Sequence, residues 1–232
     1  MTADREIVWM GNEHTNSSDR QGLIPFVIVN HISAGSMSSM DNWFRSPDNQ
    51  TSSAHFGVAK DGRIHQYVDI RRMAWANGLS AKDIAASELP VIRDNPGINP
   101  NLYSVSIEHE GTDGDLTEEQ FASSVWLHRY IRYFIREMWG QDFELDRYHV
   151  IGHFMVNPVG KPLCPGPKFP WERLYFELEQ EGADYMLAAD DANAMIAFLA
   201  AAYEATRNDE ARAEFHRLAN ELRKASGQDV QD

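Results

Sequence analysis

Residues 148–171 combine features that exclude most regular structures. The stretch begins with the apolar run Val150-Ile151-Gly152 and reaches His153. The eighteen residues after His153 contain five prolines and two glycines. A helix cannot span such a segment, because proline removes a backbone donor and glycine removes conformational restraint. We therefore predict a short buried strand that runs into a rigid loop.

The rigid loop carries Cys164, the only cysteine of the chain. The imidazole of His153 at one end of the segment and a thiolate at Cys164 are two good ligands for zinc. A buried structural cysteine beside a hydrogen-bonded histidine would give the same pattern. These residues alone leave both interpretations open.

Two further segments have the composition of buried strands. Residues 24–31 are rich in β-branched and aromatic side chains and end at His31. Residues 103–111 alternate in polarity, which places Glu108 on the polar face. If both strands lie beside the strand that precedes His153, their ends meet at one rim of the sheet.

At such a rim, His31, His153 and Cys164 would supply three zinc ligands. The fourth tetrahedral position would remain for water, which is the mark of a catalytic zinc site. Zinc lowers the pKa of a bound water to about 7 and polarises a carbonyl beside it. Glu108 would lie within reach to accept the proton of that water.

The other seven histidines are less suited to a metal site. His128 falls on the apolar stripe of a long helix, which a capping box at residues 117–120 begins and Gly140 ends. We predict that His128 is a core residue. His109 is predicted to be exposed to solvent, and His55 is kept as a candidate groove residue.

Shorter patterns complete the predicted core domain. An Asp-Gly turn joins predicted hairpin strands at residues 54–59 and 64–70. Residues 73–78 break the strand pattern and are predicted to form a loop near the end of the sheet. Residues 1–22 are mostly polar and are predicted to be an irregular lead-in.

The composition changes to alanine and charged residues after Gly182. This change predicts two helices, at residues 190–206 and 208–225, which form a hairpin. We assign residues 1–180 to the core domain and residues 183–232 to a helical appendage. The appendage would serve packing, a homodimer through its helices, or targeting.

Composition also limits the class of protein. Apolar residues make up 43% of the 232 residues, which is enough for a packed core. The formal net charge of −14 argues against nucleic acid and anionic membrane surfaces as partners. One cysteine excludes an intrachain disulfide, and neither a signal peptide nor a membrane-spanning run is visible. We expect a protein made in the cytoplasm, which another agent must release if it acts outside.

Five motifs stand in a fixed order along residues 24–175. They are VNHISA at 29–34, SAHFGVAKDGRIHQYV at 53–68, AWANG at 74–78, SIEHEG at 106–111, and the segment from Gly152-His153 through CPGPKFPW at 164–171. Together they resemble the zinc N-acetylmuramoyl-L-alanine amidases, which are related to phage lysozyme-type amidases and peptidoglycan-recognition proteins. The resemblance implies an α/β fold with a central mixed β-sheet flanked by helices and a zinc groove along one edge.

The resemblance also assigns residues. The metal ligands of the family fall on His31, His153 and Cys164, which would hold one Zn²⁺ ion, and some relatives have aspartate at the position of Cys164. The catalytic acid of the family falls on Glu108. Its basic residue falls on Lys161, which would stabilise the oxyanion of the tetrahedral intermediate. Lys161 stands three residues before Cys164, whereas relatives commonly have the basic residue two before the ligand.

The substrate-binding residues expected from the resemblance are His55, Trp75 and Asn77. Trp75 would stack on a sugar or line the groove, although a core aromatic residue would fit the same position. Many relatives have histidine where this chain has Ala76.

The activity implied is hydrolysis of the amide between N-acetylmuramic acid and L-alanine in bacterial peptidoglycan. A phage-type endolysin is the expected setting. Two other functions stay open, namely a cytoplasmic amidase that recycles soluble wall fragments and a non-catalytic peptidoglycan-binding module. Binding-only relatives often lose the cysteine, so Cys164 favours catalysis.

Overall fold

A six-stranded mixed β-sheet lies at the centre of the first of two units, Met1–Glu179. The computed structural model describes residues 5–180, 189–226, 228, 230 and 231. The described strands are β1 Ile7–Trp9, β2 Ser17–Asp19, β3 Val27–Ile32, β4 Phe56–Val58, β5 Ile64–Gln66, β6 Arg72–Ala74, β7 Ser104–His109 and β8 Val150–Gly152. The strand order in the sheet is β1-β5-β4-β7-β3-β8.

The three strands predicted to carry the site are adjacent. β3 is parallel to both β7 and β8, so the carboxyl ends of all three strands meet at one edge. This arrangement confirms the predicted mixed sheet. β4 and β5 form the predicted antiparallel hairpin on the other side of β7.

Helices cover the sheet. The described helices of this unit are α1 Met37–Phe44, α2 Ala81–Ala85, α3 Pro90–Arg93, α4 Glu118–Trp139, α5 His153–Val156 and α6 Trp171–Glu179. The hydroxyl of Thr117 caps α4 by accepting a hydrogen bond from the backbone N–H of Gln120, and Gly140 ends the helix in the left-handed conformation. Both ends of α4 are those that the sequence predicts.

The long helix α4 builds the main core against the sheet. Its buried side chains Phe121, Leu127 and Ile131 belong to one apolar cluster with Val105 and Ile107 of β7. A second cluster, which includes Val27 and Val29 of β3, packs separately from the first. Because both faces of β3 are buried, the composition of this strand is apolar almost throughout.

Two pairings differ from the sequence predictions. β1 lies in the predicted irregular lead-in yet pairs in parallel with β5 at the edge of the sheet. β6 overlaps the predicted loop at residues 73–78 and pairs with β2 in a separate two-stranded sheet. Both strands are three residues long and find partners that are remote in the chain. The apolar run that begins at Ile7 was visible in the sequence, but its pairing partner was not.

The second unit, Gln180–Asp232, contains α7 Ala189–Ala205 and α8 Asp209–Ala225. The side chain of Asn208 caps α8, and the guanidinium of Arg212 lies 5.0 Å from the centre of the Tyr203 ring. These helices agree with the predicted positions within two residues. Among the described residues, no helix has the length and apolar character that crossing a membrane requires.

Candidate metal centre

His31 and Glu108 face each other across β3 and β7, where they are partners in the strand register. The Nδ1 atom of His31 lies 3.9 Å from Oε1 of Glu108. The Oε2 atom of Glu108 is buried and has no hydrogen-bond partner among the described residues. Burial raises the pKa of Glu108 to about 7, while the nearby charge of Lys161 opposes the rise.

His153 follows β8 directly and is the first residue of α5, rather than the last residue of a strand. The centres of the His31 and His153 rings are 4.3 Å apart. Glycine is required at position 152, where the chain passes from β8 into α5, because a Cβ there would lie 2.7 Å from the Phe154 ring and 2.8 Å from Trp171. Burial, together with the charge of Lys161, lowers the pKa of His153 to about 4.

Cys164 returns to the same edge of the sheet at the end of the proline-rich loop. Its carbonyl accepts a hydrogen bond of 2.8 Å from the backbone N–H of Phe154. Its Sγ accepts one of 3.4 Å from the backbone N–H of Ile32, beside His31. Burial raises the pKa of the thiol to about 12, although the Ile32 hydrogen bond opposes this effect.

The three predicted ligands converge. The donor atoms of His31, His153 and Cys164 lie within 4.8 Å of one another. Two imidazoles and one thiol form a donor set that suits Zn²⁺ and matches the three-ligand pattern of catalytic sites. A bound cation would hold the thiol deprotonated despite its burial. The residues present therefore fit a zinc ion.

Lys161 lies at the exposed surface of the loop. It is close enough for its charge to lower the pKa values of Glu108 and His153. The exposed side chains of Val159 and Leu163, at 92% and 72%, lie on the same loop.

The predicted substrate residues occupy different environments. His55 is 1% exposed, and its Nε2 lies 2.9 Å from a guanidinium nitrogen of Arg20. Asn77 is also 1% exposed, and its Oδ1 accepts a hydrogen bond from Nε2 of His31 at 2.9 Å. The structure thus buries both side chains. Trp75 is half-buried, and its indole N–H donates to Ser18.

His109 is a further departure from the sequence analysis, because it is fully buried rather than exposed. Its Nδ1 donates to the backbone carbonyl of His31. The alternation along β7 contains the signal for this burial, since His109 shares a face with Val105 and Ile107. The buried bond between Asn77 and His31 has no such local signal.

Comparisons with known proteins agree with this architecture. Residues 20–167 match the model of the N-acetylmuramoyl-L-alanine amidase family. The chain belongs to this family, whose members are hydrolases that act on bacterial peptidoglycan. A comparison with curated proteins finds no match.

Solved structures share the fold. The crystal structure of a selenomethionine AmpD derivative has a TM-score of 0.54 and 22% identity, over 76% of this chain and 96% of that one. PlyL has a TM-score of 0.50 and 16% identity, over 75% and 96% of the two chains. A mutant endolysin from Bacillus subtilis has a TM-score of 0.50 and 19% identity, over 75% of this chain and 99% of that one. At these identities the likeness concerns the fold alone.

Proposed function

We propose that this protein is a zinc-dependent hydrolase of the amide that joins N-acetylmuramic acid to L-alanine in peptidoglycan. The observation that carries the proposal is the convergence of His31, His153 and Cys164 beside the carboxylate of Glu108, whose Oε2 is buried without a hydrogen-bond partner among the described residues. Membership of the amidase family supplies the substrate class.

The three donors would hold the ion, and Glu108 would move the proton. Zinc, when bound, supplies a Lewis acid for the scissile carbonyl and an acidified water. Glu108 takes one proton from the attacking water and passes it to the nitrogen of the departing alanine. The carbon–nitrogen bond breaks, and the products are a lactyl carboxylic acid and a free alanine amine.

Lys161 supports this reaction through its charge. Its positive charge lowers the pKa values of Glu108 and His153, so it lies near the proposed metal site. There it would stabilise the negative charge that develops at the scissile carbonyl. Its place on the exposed loop lets it approach a substrate from the solvent side.

The setting that we propose is cell-wall lysis of the endolysin type, with release from the cytoplasm by another agent. Residues 1–180 would form the catalytic domain, and residues 183–232 would serve targeting or dimerisation. Recycling of soluble wall fragments is the alternative, and the choice of substrate distinguishes the two.

Digestion of purified peptidoglycan tests the proposal, with new amino groups and new reducing sugar ends scored separately. We expect new N-terminal alanine without reducing ends, loss of the activity with a zinc chelator, and recovery when zinc is returned. Cleavage of small muropeptides but not of intact walls would favour the recycling function over the lytic one. Reducing ends would contradict the amidase assignment, and binding without cleavage of either substrate would leave a recognition module.

A further inference from the structure

We infer that Asn77 is a positioning residue for the metal, which fixes the His31 ring with its proton on Nε2 and its lone pair on Nδ1. The inference rests on the proposed function only in taking His31 as a zinc ligand. It gives Asn77 a role different from the substrate contact that the sequence predicts.

The contact between the two side chains is direct and shielded from water. Nε2 of His31 lies 2.9 Å from Oδ1 of Asn77. The two residues are 2% and 1% exposed, respectively, so solvent does not compete for the bond. A ligand histidine usually donates its second ring N–H to an oxygen in this way, which fixes its orientation and tautomer.

A chain of hydrogen bonds determines where the proton of His31 lies. The backbone carbonyl of Pro100 can only accept, so the hydroxyl of Ser104 donates to it at 2.7 Å. Because that hydroxyl has one proton, it accepts at its other contact, from Nδ2 of Asn77 at 2.9 Å. The amide group therefore turns Oδ1 towards His31, and Nε2 of the ring must be the donor. In the neutral ring, Nδ1 is then unprotonated and available to a metal.

Neighbouring elements hold Asn77 in this position. Its backbone N–H donates to Oδ1 of Asn101 at 2.6 Å. Gly78 allows the close approach, since a Cβ there would lie 3.1 Å from Nδ2 of Asn101. The buried guanidinium of Arg20 donates to the carbonyls of Asn101 and Leu102 at 3.3 and 2.8 Å. Asn77, which accepts the hydrogen bond from His31, is thus held in place by several bonds from different parts of the chain.

The test measures zinc affinity of the full-length chain by competition with a coloured chelator. Asn77→Leu removes the acceptor and should weaken zinc binding about 10–100-fold, the usual effect of losing such a partner. Asn77→Asp keeps an oxygen at the same place and should retain the affinity. Ser104→Ala removes the acceptor of the Asn77 amide, which can then rotate, and should give an intermediate loss of zinc affinity.

Ser106→Ala is the matched control. Ser106 is a buried serine of the same strand β7, but its hydroxyl contacts the ring of His55, which is outside the metal centre. This variant should lose stability without losing zinc affinity. An Asn77→Leu protein that folds and binds zinc like the wild type would overturn the inference. Equal losses of zinc affinity in Ser104→Ala and Ser106→Ala would overturn it as well.

Nitrogen NMR of the metal-free chain separates this inference from the proposed function. The inference expects the His31 ring with its proton on Nε2 before any zinc is added, and a proton on Nδ1 would overturn it. A wild-type chain that shows the expected tautomer yet binds no zinc would contradict the proposed function while supporting the orientation by Asn77.

Discussion

Two groups of buried histidines lie in the first unit of this protein, and they differ in what their ring nitrogens contact. The metal-site histidines are His31 and His153, and the core histidines are His55, His109 and His128. A further buried histidine, His65, belongs to neither group and pairs through Nδ1 with the carboxylate of Asp41. The five histidines of the two groups are at most 7% exposed. Burial therefore does not separate a metal ligand from a structural histidine.

The core histidines have partners at both ring nitrogens. In His109, Nδ1 donates to the carbonyl of His31, and Nε2 lies 2.9 Å from Oγ of Ser124. In His128, Nδ1 donates to the carbonyl of Ser124, and Nε2 accepts from the amide of Asn30 at 3.1 Å. No lone pair of these rings remains for a metal.

The metal-site histidines keep a nitrogen available. His31 has a hydrogen bond at Nε2 only, and no ring hydrogen bond of His153 is found within the part of the chain that the structure describes. An available lone pair on a buried imidazole, together with a nearby thiol, therefore distinguishes the metal site from the core.

The largest effect is expected at Cys164. Cys164→Ser removes the thiolate and should lower zinc affinity by more than about 100-fold, because a lost ligand costs more than a lost outer partner. Activity should disappear with the metal. Cys164→Asp supplies another anionic ligand and should retain part of the zinc affinity and part of the activity. Metal analysis and peptidoglycan digestion measure the two effects, and a Cys164→Ser enzyme with full zinc content would exclude the cysteine from the site.

Glu108→Gln should separate metal binding from turnover. The amide cannot take the proton of the water, so turnover should fall about 10²–10⁴-fold, while the zinc content stays at the wild-type value. Glu110→Gln is the control, since Glu110 lies two residues further on and accepts from the backbone N–H of Lys60. Normal turnover in Glu108→Gln would remove the base assignment.

Substitution of a core histidine should have the opposite result. His128→Leu removes one of the two partners of the buried Asn30 amide, which then keeps only a bond of 3.4 Å to the carbonyl of Ile151. The substitution should lower the free energy of unfolding by about 1–3 kcal/mol. Urea unfolding measures this loss. Zinc content per folded chain should not change, and loss of zinc in this variant would break the distinction between the two groups.

The smallest effect concerns pH. Burial lowers the pKa of His55 to about 3, with the charge of Arg20 adding to the effect, and burial lowers that of His128 to about 4. The unfolded chain binds protons from about pH 6.5 downwards, where these folded rings stay neutral. Stability should therefore be constant above pH 6.5 with respect to these groups and fall as the pH drops below it.

Urea unfolding at pH 7.5 and pH 5 would show this loss, on the order of 1–2 kcal/mol for each histidine. His128→Leu should show a shallower dependence on pH than the wild type. Equal slopes for the two proteins would contradict the assignment of His128 as a buried neutral ring.

The fold could be predicted where its signals are local. The apolar run that ends at His31, the Asp-Gly hairpin and the capping box of α4 each depend on neighbouring residues, and all three are confirmed. The ordered motifs placed the strands among them in one sheet flanked by helices. The pairings of β1 and β6 involve short strands and remote partners, so the sequence could not show them.

The candidate site was predicted as a set of donor types, and the structure brings His31, His153 and Cys164 together. Side-chain environments were harder to predict. The groove role of His55 and Asn77 was inferred from motif position, whereas the structure buries both. Hydrogen bonds to Arg20 and Ser104 satisfy these buried polar side chains, and the partners become neighbours only after the chain folds.

Metal analysis of purified variants tests whether His31, His153 and Cys164 hold a zinc ion. We expect one zinc ion per chain in the wild type and in His128→Leu, and none in His31→Ala or His153→Ala. Zinc retained in both ligand variants, or absent from the folded wild-type chain under zinc-replete conditions, would contradict this expectation.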